Sequence, residues 1–207
     1  ETMSQKERII EQTMRMLVAQ GIKAVRMDDI AHQLSVSKRT LYELFGDKES
    51  LLYLAMVCYF EQNRRNWENL SAQAPNVLER LFLVLNEVME HSETTRRMLE
   101  NLRKFYPAVY ERLLHESTDR NRQDFRAMLT QGIADGLFID NINIELAITV
   151  LYYTASAITM RRDMMLPEGI SERSAFTQIV STFFRGISTA KGLKIIDEFL
   201  KRQNDEI

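Results

Sequence analysis

Apolar side chains recur at every third or fourth position along almost the whole of this chain, and no run alternates apolar with polar for long enough to form a strand. That spacing lays an apolar stripe along one side of a helix, so the chain is expected to be all-α. Ile9, Ile10, Met14, Leu17 and Val18 mark a first helix of about 15 residues, with Gly21 as its stop. A short second helix, about Met27 to Leu34, carries Asp28 and Asp29 in its first turn, where the helix dipole favours acids, and turns Ile30, Ala31 and Leu34 inward. Ser35-Val36-Ser37 leaves room only for a tight turn before a third short helix holding Leu41, Leu44 and Phe45 and ending at Gly46. Asp47 caps a longer fourth helix, whose stripe of Leu51, Leu52, Ala55, Met56, Tyr59 and Phe60 runs toward Trp67.

Ala74-Pro75-Asn76 breaks the pattern, which resumes from Val77 to Met89 and again from about Thr94 to Lys104. Pro107 starts a long helix reaching about Asp135, with Gly136 as a left-handed cap. Asn143 can cap a helix from Ile144 to about Arg162, Ser171 caps another, and an amphipathic tail from Leu193 to Leu200 closes the pattern. The expectation is about nine to ten helices, with a boundary between residues 1–47, where helices are short, and 48–207, where they are long.

Composition limits the chemistry. The 207 residues are 45% hydrophobic, enough for a proper core, and 27 basic against 29 acidic side chains give a formal charge of only −2. Bulk charge therefore lends no support to a nucleic-acid partner, and the question passes to local clusters. The single cysteine, Cys58, excludes an internal disulfide or a cysteine-rich zinc cluster and reads as a small core residue. Glu87 with His91, and Glu111 with His115, stand four apart rather than in the Glu-x-x-His spacing of di-iron bundles. Without a phosphate-cradling glycine loop or a nucleophile elbow either, no enzyme, cofactor or metal is expected. Ile144 to Met160 is too short to span a bilayer and no secretory leader is evident, so a cytoplasmic protein is expected, with Glu1-Thr2 read as a remnant before Met3.

The local charge that matters lies in Ser37 to Lys48, SKRTLYELFGDK. Ser37 reads as a helix N-cap, yet Lys38 and Arg39 follow it into a first turn where the dipole already presents about half a positive charge. Asp47 and Lys48 repeat the arrangement one helix later. Between Ala31 and Leu41 there are these two cations, a titratable His32 and no acid, and acids return only at Glu43, expected on the far side of the short helix. Two short helices joined by a tight turn and packed on a longer first helix form a helix-turn-helix, whose second helix enters the DNA major groove with its N-terminal residues nearest the bases. Phosphate is then the expected counter-ion, with a merely solvated face as the alternative.

The stretch from Met27 to Leu52 resembles the N-terminal DNA-binding domain of the TetR family of transcriptional regulators. The resemblance rests on Gly21, Asp29-Ile30-Ala31, Val36-Ser37, Thr40-Leu41-Tyr42, Phe45, Lys48-Glu49 and Leu51-Leu52. The chain departs from the pattern at Ser35, where a turn glycine is usual, at Gln12-Thr13, and at Arg26, where a threonine often caps the second helix. The resemblance implies that Lys38, Arg39, Thr40 and Tyr42 form the recognition surface, with Lys48 on a backbone phosphate and Ser37 both capping its helix and approaching one. Arg39 suits base reading, because a guanidinium can bond guanine at two points. Arg26, His32 and Gln33 are further candidates, and Tyr42 has the alternative of packing with only its hydroxyl reaching DNA.

The resemblance further implies a helical effector and dimerisation domain after the helix-turn-helix. The helix from Ile144 is apolar nearly all round, and the one after Ser171 has a wide aromatic stripe. In the family the last two long helices pair with those of a second subunit as a four-helix bundle, here through Leu151, Ala155 and Ile158 on one and Phe176, Ile179, Val180, Phe183, Phe184 and Ile187 on the other. Such a homodimer sets two recognition helices about 34 Å apart to read a palindromic operator in double-stranded DNA. Met56, Phe60, Trp67, Phe82, Met89 and Leu102 lie on helices around the domain's interior, as do Phe105, Tyr106, Tyr110, Phe125, Met128 and Tyr152. They read either as plain core or as the lining of a pocket for a small apolar or aromatic effector, with Arg103 or His115 at its rim. The implied mechanism is a population shift in which the fourth helix moves like a lever; repression relieved by ligand is its commonest form, and activation the alternative.

Overall fold

Side-chain caps fix where the helices start. In the computed structural model, which describes residues 3–159 and 166–205 and leaves the side chains of 158, 159 and 203–205 aside, the described residues form ten α-helices and no strand. The expectations for Glu1-Thr2, for the Ile158 side chain and for the segment through Met160 and Arg162 lie outside the described residues. The helices are α1 (Gln5–Gln20), α2 (Met27–Leu34), α3 (Lys38–Phe45), α4 (Lys48–Ser71) and α5 (Val77–Glu90), then α6 (Ser92–Phe105), α7 (Pro107–Ala134), α8 (Ile144–Thr159), α9 (Glu172–Ile187) and α10 (Ala190–Asp205). Asp47 accepts the Ser50 N–H at 2.7 Å, Asn76 that of Glu79 at 2.9 Å, Asn143 that of Leu146 at 3.0 Å and Ser171 that of Ser174 at 3.1 Å. Each satisfies a backbone donor that the helix itself leaves open.

The chain divides into two compact units, Glu1–Asn66 with Glu93–Thr118, and Trp67–Ser92 with Asp119–Ile207. In the first, α1 packs on α2 and α2 on α3. Ile9, Leu17, Ile22, Val25, Ile30, Leu41, Leu51 and Leu52 are buried there, as are Met98, Leu102 and Leu113 of α6 and α7. The Arg97 guanidinium donates to the Val18 carbonyl at the end of α1 at 2.9 Å, which ties α6 to the helix-turn-helix.

The second unit closes around an aromatic cluster. The Phe82 ring lies 5.6 Å edge-on from Phe184 and 5.2 Å stacked on Phe199, and Phe138 stacks on Phe184 at 6.0 Å. After Gly136, at φ 68°, residues 137 to 139 run beside the α9–α10 turn: Ile139 donates to the Ile187 carbonyl and Thr189 to that of Leu137, each at 2.9 Å. α10 then packs on α5 and α9. No described helix is long and apolar enough to cross a membrane.

The helix expected to be apolar all round is covered on one side only. Ala147, Ile148 and Leu151 of α8 are buried, whereas Leu146, Val150 and Tyr153 are 60%, 44% and 65% exposed.

Candidate nucleic-acid interface

The turn between α2 and α3 is built on an uncommon backbone. Ser35 sits in the left-handed region at φ 54° and ψ 40°, the one non-glycine residue with positive φ among those described. This is the position the sequence marked as lacking its usual glycine, and a β-carbon there is tolerated at some conformational cost. The bend lets Val36 donate to the Ala31 carbonyl at 3.0 Å, after which Ser37 returns to an extended backbone and caps α3 by accepting the Thr40 N–H at 3.0 Å. The Ser37 and Thr40 hydroxyls also share a hydrogen bond at 2.7 Å, so Thr40 is half-buried as part of the cap. Leu41 and Phe45 anchor the inner side of α3. Lys38, Arg39 and Tyr42 therefore point outward, and at 44% exposure Tyr42 is a surface side chain rather than a packing residue.

The expectation that Lys38 and Arg39 lack an acid nearby needs correction. Lys38 Nζ stands 2.9 Å from Asp28 across the turn, and Arg39 Nε stands 2.7 Å from Glu43. Asp28 belongs to the preceding helix and escapes a reading of the third alone; Glu43 is one turn along α3 from Arg39 and so on its own side, not the far one. The hydrogen bond from Lys38 to Asp28, and then its charge, hold the lysine above its ordinary pKa. The Arg39 side chain remains 87% exposed, and ion pairs so open to water are readily exchanged for phosphate or a base edge.

Lys48, first residue of α4, is held differently. It is half-buried, and its Nζ lies 5.4 Å from the centre of the Tyr106 ring, at the α6–α7 corner. Asp47 beside it caps α4, and the Ser50 N–H keeps the Asp47 carboxyl below the usual aspartate range. Five residues on, the Tyr53 hydroxyl donates to Glu116 at 2.5 Å, Arg112 donates to the same carboxylate at 3.1 Å, and its guanidinium lies 3.7 Å from the Tyr53 ring centre. Burial and the bond to Glu116 raise the Tyr53 pKa, while Tyr53 and then Arg112 lower that of Glu116. Sequence periodicity could not reveal these two links between α4 and α7, which join residues far apart in the chain.

Arg26, His32 and Gln33 are exposed at or on α2. The Arg26 N–H is satisfied by Asp29 at 2.9 Å, so Arg26 leads α2 without a side-chain cap of its own and its guanidinium is left for other work.

The twelve candidate pocket residues divide between the units, Met56, Phe60, Leu102, Phe105, Tyr106 and Tyr110 in the first and Trp67, Phe82, Met89, Phe125, Met128 and Tyr152 in the second. Met56, Phe82, Met89 and Leu102 are buried core. Phe105 is 38% exposed between the ammonium groups of Lys23 and Lys104, 5.6 and 5.4 Å from its ring centre. Trp67 is half-buried, and its indole N–H is fully enclosed without a hydrogen-bond partner. Of the candidate dimer residues, Leu151, Phe176, Val180 and Phe184 are already covered within the chain, whereas Ala155, Ile179, Phe183 and Ile187 are half-buried. Arg103 and His115 are exposed, Cys58 is half-buried, and no described group of histidine, cysteine and acid residues is arranged to hold a metal.

Two short helices joined by a tight left-handed turn, with Lys38 and Arg39 on the outer side of the second, form the helix-turn-helix arrangement found in DNA-binding proteins, here followed by a long helical body. Residues 9–53 match the family model of bacterial regulatory proteins, tetR family. The fold recurs in a transcriptional regulator from Cytophaga hutchinsonii (TM-score 0.75, 15% identity, 88% of this chain and 98% of that one). It recurs too in a TetR transcription regulator from Haloarcula marismortui (0.71, 19%, 89% and 98%) and in a TetR/AcrR-family regulator from Thermobifida fusca (0.61, 23%, 87% and 97%). No curated protein is similar enough to match. Residues 9–53 therefore match the DNA-binding domain of the tetR family, and the fold of the chain is one that TetR-family regulators share.

Proposed function

We propose that this regulator is a cytoplasmic one-component repressor, which binds a palindromic operator as a homodimer and is released by a small apolar or aromatic molecule. In this reading residues 1–47 contact DNA and 48–207 bind effector and partner. The observation that carries it is the outer side of α3, where Arg39 and Tyr42 stand clear of the protein while Leu41 and Phe45 fix the helix from beneath. Lys38, Arg39, Thr40 and Tyr42 then face the major groove, Ser37 and Lys48 take flanking phosphates, and Arg26 and His32 extend the contact. Support for the homodimer comes from Leu146, Val150 and Tyr153, three large apolar side chains exposed one above another on α8.

Selection of bound DNA from a random pool, followed by gel shifts across a salt series, tests the reading. The expected outcome is a palindromic consensus bound with an affinity that falls steeply as salt rises. Lys48→Ala should weaken binding to all sequences alike and reduce the salt slope by about one, whereas Arg39→Ala should also relax the preference at one base pair in each half-site. Weak binding at low salt that is indifferent to sequence would remove the main support for the proposal.

A further inference from the structure

Three cations head the recognition helix and the helix after it, and they are held in two unlike ways. Lys38 and Arg39 each face a carboxylate, which must be given up before a phosphate or base can take its place. Lys48 faces the ring of Tyr106 instead. A ring attracts an ammonium through its quadrupole but carries no net charge, so this contact involves no carboxylate that must be displaced, and the ammonium can turn its N–H donors outward.

The backbone that carries the ring is itself fixed. Tyr106 donates its N–H to the Leu102 carbonyl at 2.7 Å and accepts the Tyr110 N–H at 3.1 Å, and so is clamped between the last turn of α6 and the first turn of α7. Leu102 is fully buried, and Pro107 sets the backbone that follows. The bond from Tyr53 to Glu116 holds α4 to α7 a second time, less than two turns beyond Lys48. An ammonium on a flexible four-carbon stem is thus narrowed to a small region at the head of α4 by a residue more than fifty positions away.

We infer that Tyr106 is a positioning residue for DNA binding: its ring pre-organises Lys48 for the phosphate backbone, and makes the affinity of the helix-turn-helix depend on the α6–α7 corner. This rests on the DNA-binding reading above and adds to it a route by which a shift of that corner loosens the grip on DNA without touching the recognition helix.

The test uses the full chain and a 30-base-pair duplex of random sequence, because a phosphate contact is independent of sequence. Tyr106→Leu should lower affinity about two- to five-fold, the range expected from one cation–ring contact, with the salt slope unchanged because Lys48 still reaches phosphate. Tyr106→Phe keeps the ring and should restore wild-type affinity. In a Lys48→Ala background the Tyr106→Leu effect should vanish, a result that general damage to the corner cannot mimic. If Tyr106→Leu binds as wild type does, or if its loss persists without Lys48, the inference is overturned while the DNA-binding reading stands. If the wild-type chain does not bind the duplex even at low salt, both fall.

Discussion

Thr13 is fully buried in the middle of α1, and its hydroxyl oxygen has no hydrogen-bond partner. Most helical threonines return that bond to the carbonyl one turn back, and an enclosed hydroxyl that fails to do so forfeits its hydration for nothing. Thr13→Val keeps the shape and removes the stranded group, so it should raise unfolding free energy by about 1 kcal/mol, read as a higher midpoint in urea. The sequence showed the inner face of α1 through Ile9, Met14 and Leu17 but not this residue, because threonine is at home on either side of a helix. Met16, also buried, was missed for a related reason: it lies off the ideal stripe and is enclosed by neighbours that only the tertiary structure supplies. Ser35 was legible as an anomaly from the sequence, and its positive φ gives the anomaly its physical content.

Helix starts were the most legible elements, since Asp47, Asn143 and Ser171 announce themselves by type and each caps the helix that follows, whereas Asn76, read only as part of a break, turns out to cap α5. Helix ends were less so: α4 continues to Ser71, past the expected limit near Trp67, because no glycine or proline stops it before Ala74-Pro75. The start of α10 is instructive. The sequence put it at Leu193, after the glycine, yet it begins at Ala190, capped by the Thr189 hydroxyl, which accepts the Gly192 N–H at 3.2 Å. Gly192 is glycine for another reason: it lies inside the helix and a β-carbon there would run into the Leu137 carbonyl oxygen, backbone that pairs with the α9–α10 turn. Gly192→Ala should therefore destabilise the protein by about 1 to 3 kcal/mol despite alanine's better helix propensity, as a thermal melt would show. A melt at or above the wild-type midpoint would mean that the two segments part easily.

The exposed row of Leu146, Val150 and Tyr153 bears on assembly, and it was hidden from the sequence because a helix apolar all round gives no clue to which side its own chain covers. Tyr153→Lys adds a charge to that row without entering the core, so it should convert a homodimer into a species of 24.2 kDa by light scattering at micromolar concentration while leaving the helical signal intact. A dimer that survives the change would shift the interface to another surface. On the outer side of α3 the sequence showed the cations but not what holds them at rest: Asp28 against Lys38 and Glu43 against Arg39. If α3 enters the groove as proposed, those pairings also bear on time spent on the wrong DNA. Each exposed pair would cost little to open, so a phosphate could displace the carboxylate easily but with a slightly smaller net gain than an unpaired cation would have. The two acids would then trim the hold on random sequence by a small factor, and the operator, which offers base edges as well, would make up the difference.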